Sequence, residues 1–223
     1  MNNLRSSFHG ILFFLIILSG SLQAQDNQVT DEYTRVVNER AKKIVDSLAI
    51  NDSAEARAVQ QIIANQYIQL NQVHDHRDQE KAQLRERYSE DKKVLEKKIE
   101  ELESHTEKRV SELHHSFLNK LAKQIDEQKI DRVKDGLTYY VMPITYRNYL
   151  EMLPTLTERQ KLQLWEYLKE AREIAMDKGS SKEKHAVFGK YKGKINNYLS
   201  AEGMETEEAR RVWEAKLRGR QKG

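Results

Sequence analysis

The sequence predicts an all-α protein, built as an antiparallel helical bundle with a long charged helical hairpin or coiled-coil arm. No glycine or proline lies between Gly20 and Gly136. A stretch of that length rich in Ala, Glu, Lys, Gln and Leu favours long helices. Apolar residues recur along it at three- and four-residue spacing, and capping residues stand before the apolar stripes. The positions of the capping residues match the starts of the apolar stripes, which supports the all-α prediction.

The N-terminus has the pattern of a secretory signal peptide over residues 1–24. Arg5 supplies the positive charge, residues 11–18 form a short apolar run, and Ala24 is a small residue suited to cleavage. Gly20 and Ser21 are expected to loosen the chain between this apolar run and the cleavage site. Eight apolar residues are too few to span a bilayer, which requires about 20. The sequence therefore predicts secretion by a cleaved signal to the periplasm or outside the cell, with no membrane span after cleavage.

Composition excludes several classes of site. The chain has no cysteine, which excludes thiolate metal sites, disulfides and an N-terminal lipid anchor, so the protein is not expected to be a lipoprotein. The formal charge is +3, and removing Arg5 leaves +2. That balance predicts a mixed solvated surface and no nucleic-acid partner.

The mature chain is predicted to consist of a helical body and an arm. Residues 25–75 and 109–223 are assigned to the body, and residues 76–108 to the protruding arm. The body helices carry apolar stripes formed by Tyr33, Val36, Val37, Ala41, Ile44 and Leu48, and then by Ala56, Val59, Ile63, Tyr67, Leu70 and Val73. Asp52 and Glu55 form a capping-box pattern between these two helices.

The apolar stripe of the arm is narrower and is surrounded by charged residues. This pattern is typical of a coiled-coil seam. A hairpin that turns near Ser89 to Asp91 is predicted, with one continuous rod as the alternative, because no strong turn residue marks the tip. Oligomerisation through the arm is a further possibility.

The second half contains shorter helices. Residues 137–143 are expected to be extended or irregular, because Pro143 disfavours a preceding helix. A helix is predicted over 146–152, one from the cap Thr157 to about Lys178, and one from the cap Ser180 to Leu199. A last helix begins at Thr206.

Gly189 and Gly193 are the most informative residues in this half. Each costs a helix about 1 kcal/mol relative to alanine. They are expected to let another helix or a ligand approach the backbone closely. Around them stand side chains able to recognise a sugar by its apolar face and hydroxyl rim, with lysines to attract uronate carboxylates. These are His185, Lys190, Tyr191, Lys192, Asn196 and Asn197.

A second polar and aromatic group lies earlier, where four tyrosines fall within residues 139–149. A third lies on the helix after Thr157. Together they add Lys134, Asp135, Tyr139, Tyr140, Tyr146, Glu170 and Arg172 to the candidate ligand-binding residues. Residues 133–149 and 185–198 are hypothesised to form one cleft, although core packing is the alternative for each residue.

The remaining motifs predict no metal, no cofactor and no identified catalytic residue. His74 and His76 are two positions apart and point to different helix faces, so they cannot chelate one ion together. The segment from Gly189 to Gly193 lacks the strand, spacing and terminal Lys-Ser/Thr of a phosphate-binding loop.

Several segments together resemble a family of secreted bacterial proteins of unknown function. The segments are Val133 to Tyr139, Met152 to Pro154, Lys169 to Glu173, Ala175 to Asp177, and above all Lys184 to Ser200, a KHxxFGKYKGxINNYLS signature. Members are often met near polysaccharide-degradation genes, and the resemblance implies a sugar-binding role. It brings no catalytic residues with it. Residues 156–160 also resemble the LTxxQ motif of Spy/CpxP-like periplasmic proteins.

The leading functional hypothesis is therefore an exported carbohydrate-binding or polysaccharide-utilisation accessory protein, with an acidic glycan favoured as ligand. The alternative is a periplasmic Spy-like chaperone or scaffold that uses the arm as client surface. An enzyme on uronic-acid glycans is a third hypothesis, less favoured, because the sequence cannot show a base and a neutralising cation converging.

Overall fold

The computed structural model describes the backbone of residues 19–220 and the side chains of residues 32–219. Within that range the chain forms eight helices and no strand, which confirms the all-α prediction. The helices are α1 (Ser19–Asp46), α2 (Ser53–Arg87), α3 (Lys92–Leu121), α4 (Glu127–Leu137), α5 (Val141–Met152), α6 (Glu158–Met176), α7 (Ser181–Ala201) and α8 (Thr206–Arg220).

The chain divides into two compact units, Met1–Val36 and Val37–Gly223. In the first, α1 already begins at Ser19, so Gly20 and Ser21 are helical and do not loosen the chain as expected. The apolar run of the predicted signal lies outside the described residues, and the boundaries predicted for signal, body and arm stay predictions. Among residues 19–220, no helix has the length and apolar character needed to cross a membrane.

The arm is a helical hairpin formed by α2 and α3, as predicted, and not a continuous rod. The Tyr88 backbone N–H donates to the Leu84 carbonyl at the end of α2. Asp91 then caps α3, where its carboxylate accepts from the Val94 N–H at 3.0 Å. An aspartate at this position satisfies one of the free N–H groups of the new helix, which explains how the chain turns without glycine or proline.

The body contains two hydrophobic clusters. The first joins the end of α1, the start of α2, the end of α3, α4 and Met176. The second joins α5, α6 and α7, with Met204 and Ala209 packed against it. Most of the predicted stripe residues are buried, including Val37, Ile44, Ile63 and Leu70. The periodicity therefore identified the buried faces correctly.

The predicted irregular stretch at residues 137–143 is shorter in the structure. Helix α5 begins at Val141, so Pro143 lies in its first turn. Proline is tolerated there because the first N–H groups of a helix have no partner within it. The break is confined to Thr138, Tyr139 and Tyr140, and both tyrosines adopt left-handed backbone conformations, with φ of 58° and 56°.

The glycines that pack closely are Gly136 and Gly179, whereas Gly189 and Gly193 were expected to do so. A Cβ atom on Gly136 would lie 2.7 Å from Ile44 Cγ1, and one on Gly179 would lie 2.8 Å from His74 Cγ. Around Gly189 and Gly193 a Cβ would meet nothing within 4 Å. The expected close approach of another helix there is wrong, because both glycines lie on the exposed face of α7.

Lys184 joins the ends of two helices. It is 5% exposed, and its ammonium donates to the Leu137 carbonyl at 2.9 Å and lies 3.5 Å from the Met176 carbonyl. These carbonyls end α4 and α6 and have no helical partner of their own. Burial lowers the pKa of Lys184 from 10.5 to about 8.

Replacing Lys184 is expected to change how stability depends on pH. Between pH 8 and 10 the unfolded chain keeps the Lys184 proton while the folded chain releases it, so the unfolding free energy rises with pH. We expect wild type to gain about 2 kcal/mol more than Lys184→Met over this interval. Urea denaturation at both pH values measures the difference. Equal gains in the two proteins would contradict the assignment.

Candidate ligand-binding site

Arg172 and Asp135 belong to a buried network between α4 and α6. Arg172 is 3% exposed; its Nη1 donates to Asp135 Oδ1 at 2.9 Å and its Nη2 to Asp131 Oδ1 at 2.5 Å. Lys134 donates to Glu173 Oε2 at 2.8 Å beside them. Burial raises the pKa of Asp135, while Arg172 acts in the opposite direction. Three of the predicted ligand-binding residues are thus engaged in holding two helices together.

Tyr139 and Tyr140 lie on the surface at the junction of α4 and α5, 40% and 38% exposed. The Tyr139 ring stacks on His185 of α7, with 5.6 Å between centroids and 11° between planes. The Tyr140 hydroxyl lies 3.2 Å from Ser47 Oγ. At this point residues of the two predicted patches meet through the Tyr139–His185 stack, on open surface.

Glu170 and Tyr191 form another group, on the α6–α7 face. Lys194 lies 3.3 Å from Glu170, with its ammonium 4.3 Å from the Tyr167 ring centroid and 5.3 Å from that of Tyr191. Burial, together with a hydrogen bond to Glu170, raises the pKa of Tyr191 to about 12. Tyr191 is only 7% exposed, which makes it chiefly a packing residue.

The remaining predicted residues are spread over the surface. Tyr146 packs edge-to-face against Trp165, with ring centroids 5.1 Å apart. The side chains of Lys190 and Asn197 are exposed on α7 and form no hydrogen bond or ion pair with other residues of 32–219. The thirteen predicted residues are accordingly divided among several places.

Lys192 and Asn196 line a cleft between α5, α7 and α8, which we call the α5–α7–α8 cleft. Its volume is about 340 Å³. Its other lining residues are Thr145, Asn148, Tyr149, Met152, Thr206, Glu207, Arg210, Trp213 and Glu214. The spacing of the α7 residues, 192 and 196, is one helical turn, which places both on the same face.

Tyr149 fixes one wall of the cleft. Its hydroxyl donates to Asn196 Oδ1 at 2.8 Å, and burial raises the pKa of Tyr149 to about 12. With its oxygen engaged, Asn196 keeps its amide NH₂ group for another partner. Tyr149 therefore orients Asn196 as a hydrogen-bond donor.

The polar groups of the cleft fall into two sets. Arg210 pairs with Glu207 at 2.6 Å and with Glu214 at 3.6 Å. By contrast, the Lys192 ammonium and the Asn148 amide have no hydrogen-bonding or ion-pair partner in the part of the chain that the structure describes. Arg210 thus offsets one of the two carboxylate charges of Glu207 and Glu214, while the Lys192 ammonium and the Asn196 amide NH₂ are donors without a partner among residues 32–219.

Sequence reasoning missed most of this cleft. Tyr149, Asn148, Trp213 and Arg210 were not among the predicted residues. Tyr149 carried a signal, since it is the last of the four clustered tyrosines. Trp213 and Arg210 lie on α8, and no local pattern indicates that this helix folds back beside α5 and α7.

Removal of Arg172 is expected to destabilise the fold severely. Arg172→Met leaves the Asp131, Asp135 and Glu173 carboxylates without their shared cation, at a cost of about 3 kcal/mol. Chemical denaturation measures the loss. Lys190→Met on exposed α7 is the control and should change stability by less than about 0.5 kcal/mol. A small loss for Arg172→Met would show that the network is not structural.

Comparison with known proteins places the chain in a family. No curated protein matches the sequence. Residues 34–219 match the family described as "Protein of unknown function (DUF3826)". That range covers α2 to α7 entirely and the α8 residues that line the cleft. Because the match spans most of the sequence, the chain belongs to the DUF3826 family.

Proposed function

We propose that the protein is an exported carbohydrate-binding accessory protein that holds an acidic oligosaccharide in the α5–α7–α8 cleft. The observation that carries the proposal is the set of unpaired donors there: the ammonium of Lys192 and the amide NH₂ of Asn196. Export is inferred from the signal pattern of residues 1–24.

The unpaired Lys192 ammonium favours an anionic group on the ligand. Glu207 and Glu214 are the acids in the wall, and Arg210 lies beside both and offsets one of their two charges. The Lys192 ammonium remains available to a carboxylate, and a charge-assisted hydrogen bond of this kind contributes about 1.5–3 kcal/mol. A neutral ligand would leave that ammonium without a charged partner.

The neutral lining suits a sugar ring. The indole of Trp213 contributes an apolar surface, and its Nε1 donates to Glu151 Oε2 at 3.4 Å. Asn148 and Asn196 offer amide groups for hydroxyls. The cleft volume of about 340 Å³ lies within the range of small-ligand sites. An apolar face with a polar rim is the combination that a uronate unit presents.

Isothermal titration calorimetry with trigalacturonate tests the proposal. We expect wild type to bind it, with affinity falling as salt is added, because a charged contact is screened. Lys192→Met should weaken binding about tenfold, the equivalent of about 1.4 kcal/mol. Trp213→Ala should weaken it as well, through loss of apolar contact.

Lys190→Met is the matched control for Lys192→Met. Lys190 lies two residues earlier on the same helix, is exposed, and does not line the cleft. Its replacement makes the same change in net charge and should leave affinity unchanged. Equal losses for the two variants would indicate non-specific attraction, and absence of heat with wild type would refute the proposed function.

A further inference from the structure

A second cleft lies where the hairpin meets the end of α6, and we call it the hairpin-base cleft. Its volume is about 380 Å³. His74 of α2, His114 of α3 and Asp177 at the end of α6 lie in its wall. The residues proposed to bind the acidic oligosaccharide in the α5–α7–α8 cleft do not line the hairpin-base cleft.

Hydrogen bonds fix the protonation of His74. Arg77 Nη1 lies 3.1 Å from His74 Nδ1, and a guanidinium can only donate. The ring proton is therefore on Nε2, which donates to the Asp177 carbonyl at 2.8 Å. His74 is 6% exposed and packs against Gly179, so its bond to the Asp177 carbonyl holds Asp177 in place.

Asp177 in turn orients His114. His114 Nδ1 lies 2.7 Å from Asp177 Oδ2, and a carboxylate accepts a hydrogen bond from the ring N–H. The same contact raises the pKa of His114. The other ring nitrogen, Nε2, has no partner among residues 32–219. An imidazole held at one nitrogen by a carboxylate has its other nitrogen positioned for a ligand.

Most charged groups of this cleft have a partner. Glu103 pairs with Lys81, Glu173 with Lys134 and Arg77 with Asp78, and the Asp177 carboxylate accepts a hydrogen bond from His114.

Two charged side chains of the lining, Glu107 and Lys178, form no ion pair within the described chain, and their charges cancel. Val110 and Ile174 add an apolar surface to the same wall. The cleft therefore offers donors, acceptors and an apolar face without net excess of unpaired charge.

We propose that the hairpin-base cleft is a second ligand site that binds a neutral saccharide, with His114 Nε2 hydrogen-bonded to a sugar hydroxyl. Sugar hydroxyls both donate and accept, so they match Lys178, Glu107 and the imidazole together. The C–H face of the ring would lie against Val110 and Ile174. This inference goes beyond the acidic ligand of the α5–α7–α8 cleft and involves other helices, so either proposal can fail alone.

Histidine ring resonances in NMR spectra of the full chain report on the site. The probes are the methyl glycosides of glucose, galactose and mannose, with galacturonate and glycine as anionic and zwitterionic comparisons. We expect at least one neutral glycoside to shift the His114 resonances. Those of His105, which is exposed on the same helix and does not line the cleft, should not move.

Two variants separate binding from a structural role of the histidine. Ile174→Trp fills the cleft from a position that is 40% exposed, and so leaves the His114–Asp177 bond in place. It should abolish the shift. His105→Gln, at an exposed position of α3 outside the cleft, should retain it. The proposal is overturned if no neutral glycoside shifts His114, if glycine or galacturonate alone does so, or if the shift persists in Ile174→Trp.

Discussion

The end of α6 is the point on which the arrangement of the other helices depends. The last carbonyl groups of a helix have no partner within it and carry the negative end of its dipole. Here Lys184 of α7 approaches Met176, while His74 of α2 donates to Asp177. His114 of α3 binds the Asp177 side chain. Three donors from three helices thus converge on two residues, which gives the hairpin and α7 a defined position against α6.

Polar groups in the body serve two different purposes. Those at the α4–α6 contact are buried and paired, as with Arg172 and Asp135. Taking such charges out of water is costly unless they are paired, so this contact favours one particular pairing of α4 with α6. Lys192 and the amide of Asn196, in contrast, face a cleft and remain available. Polar side chains are therefore engaged in helix packing in one place and left unpaired in a cleft in the other.

The junction between α4 and α5 concentrates backbone strain. Left-handed conformations at Tyr139 and Tyr140 each cost on the order of 1–3 kcal/mol and persist only where surrounding contacts enforce them. The Tyr140 N–H donates to the Asp135 carbonyl at 2.7 Å, and the Tyr139 ring stacks on His185. These contacts direct two tyrosines outward while α5 starts immediately afterwards. The strain is thus the cost of a very short connection between two packed helices.

The sequence by itself predicted the all-helical class, several helix caps and most of the buried faces, although the break between α3 and α4 and the start of α5 at Val141 were missed. Periodic apolar residues and local groups such as Thr157 with Gln160, or Ser180 with Glu183, act within a few residues of one another, so they can be recognised along the chain. The arm was predicted as a hairpin that turns near Ser89 to Asp91, with a continuous rod as the alternative, and the structure shows the hairpin with Asp91 as the cap of α3.

Only the tertiary structure decided which polar residues are available to a ligand. Arg172 and Lys192 are equally plausible as binding groups in the sequence, yet one is enclosed by carboxylates and the other lines a cleft. Pairing of this kind joins residues far apart in the chain, as do Tyr149 with Asn196 and His114 with Asp177. Such contacts depend on how helices pack, and no local pattern of residues encodes them.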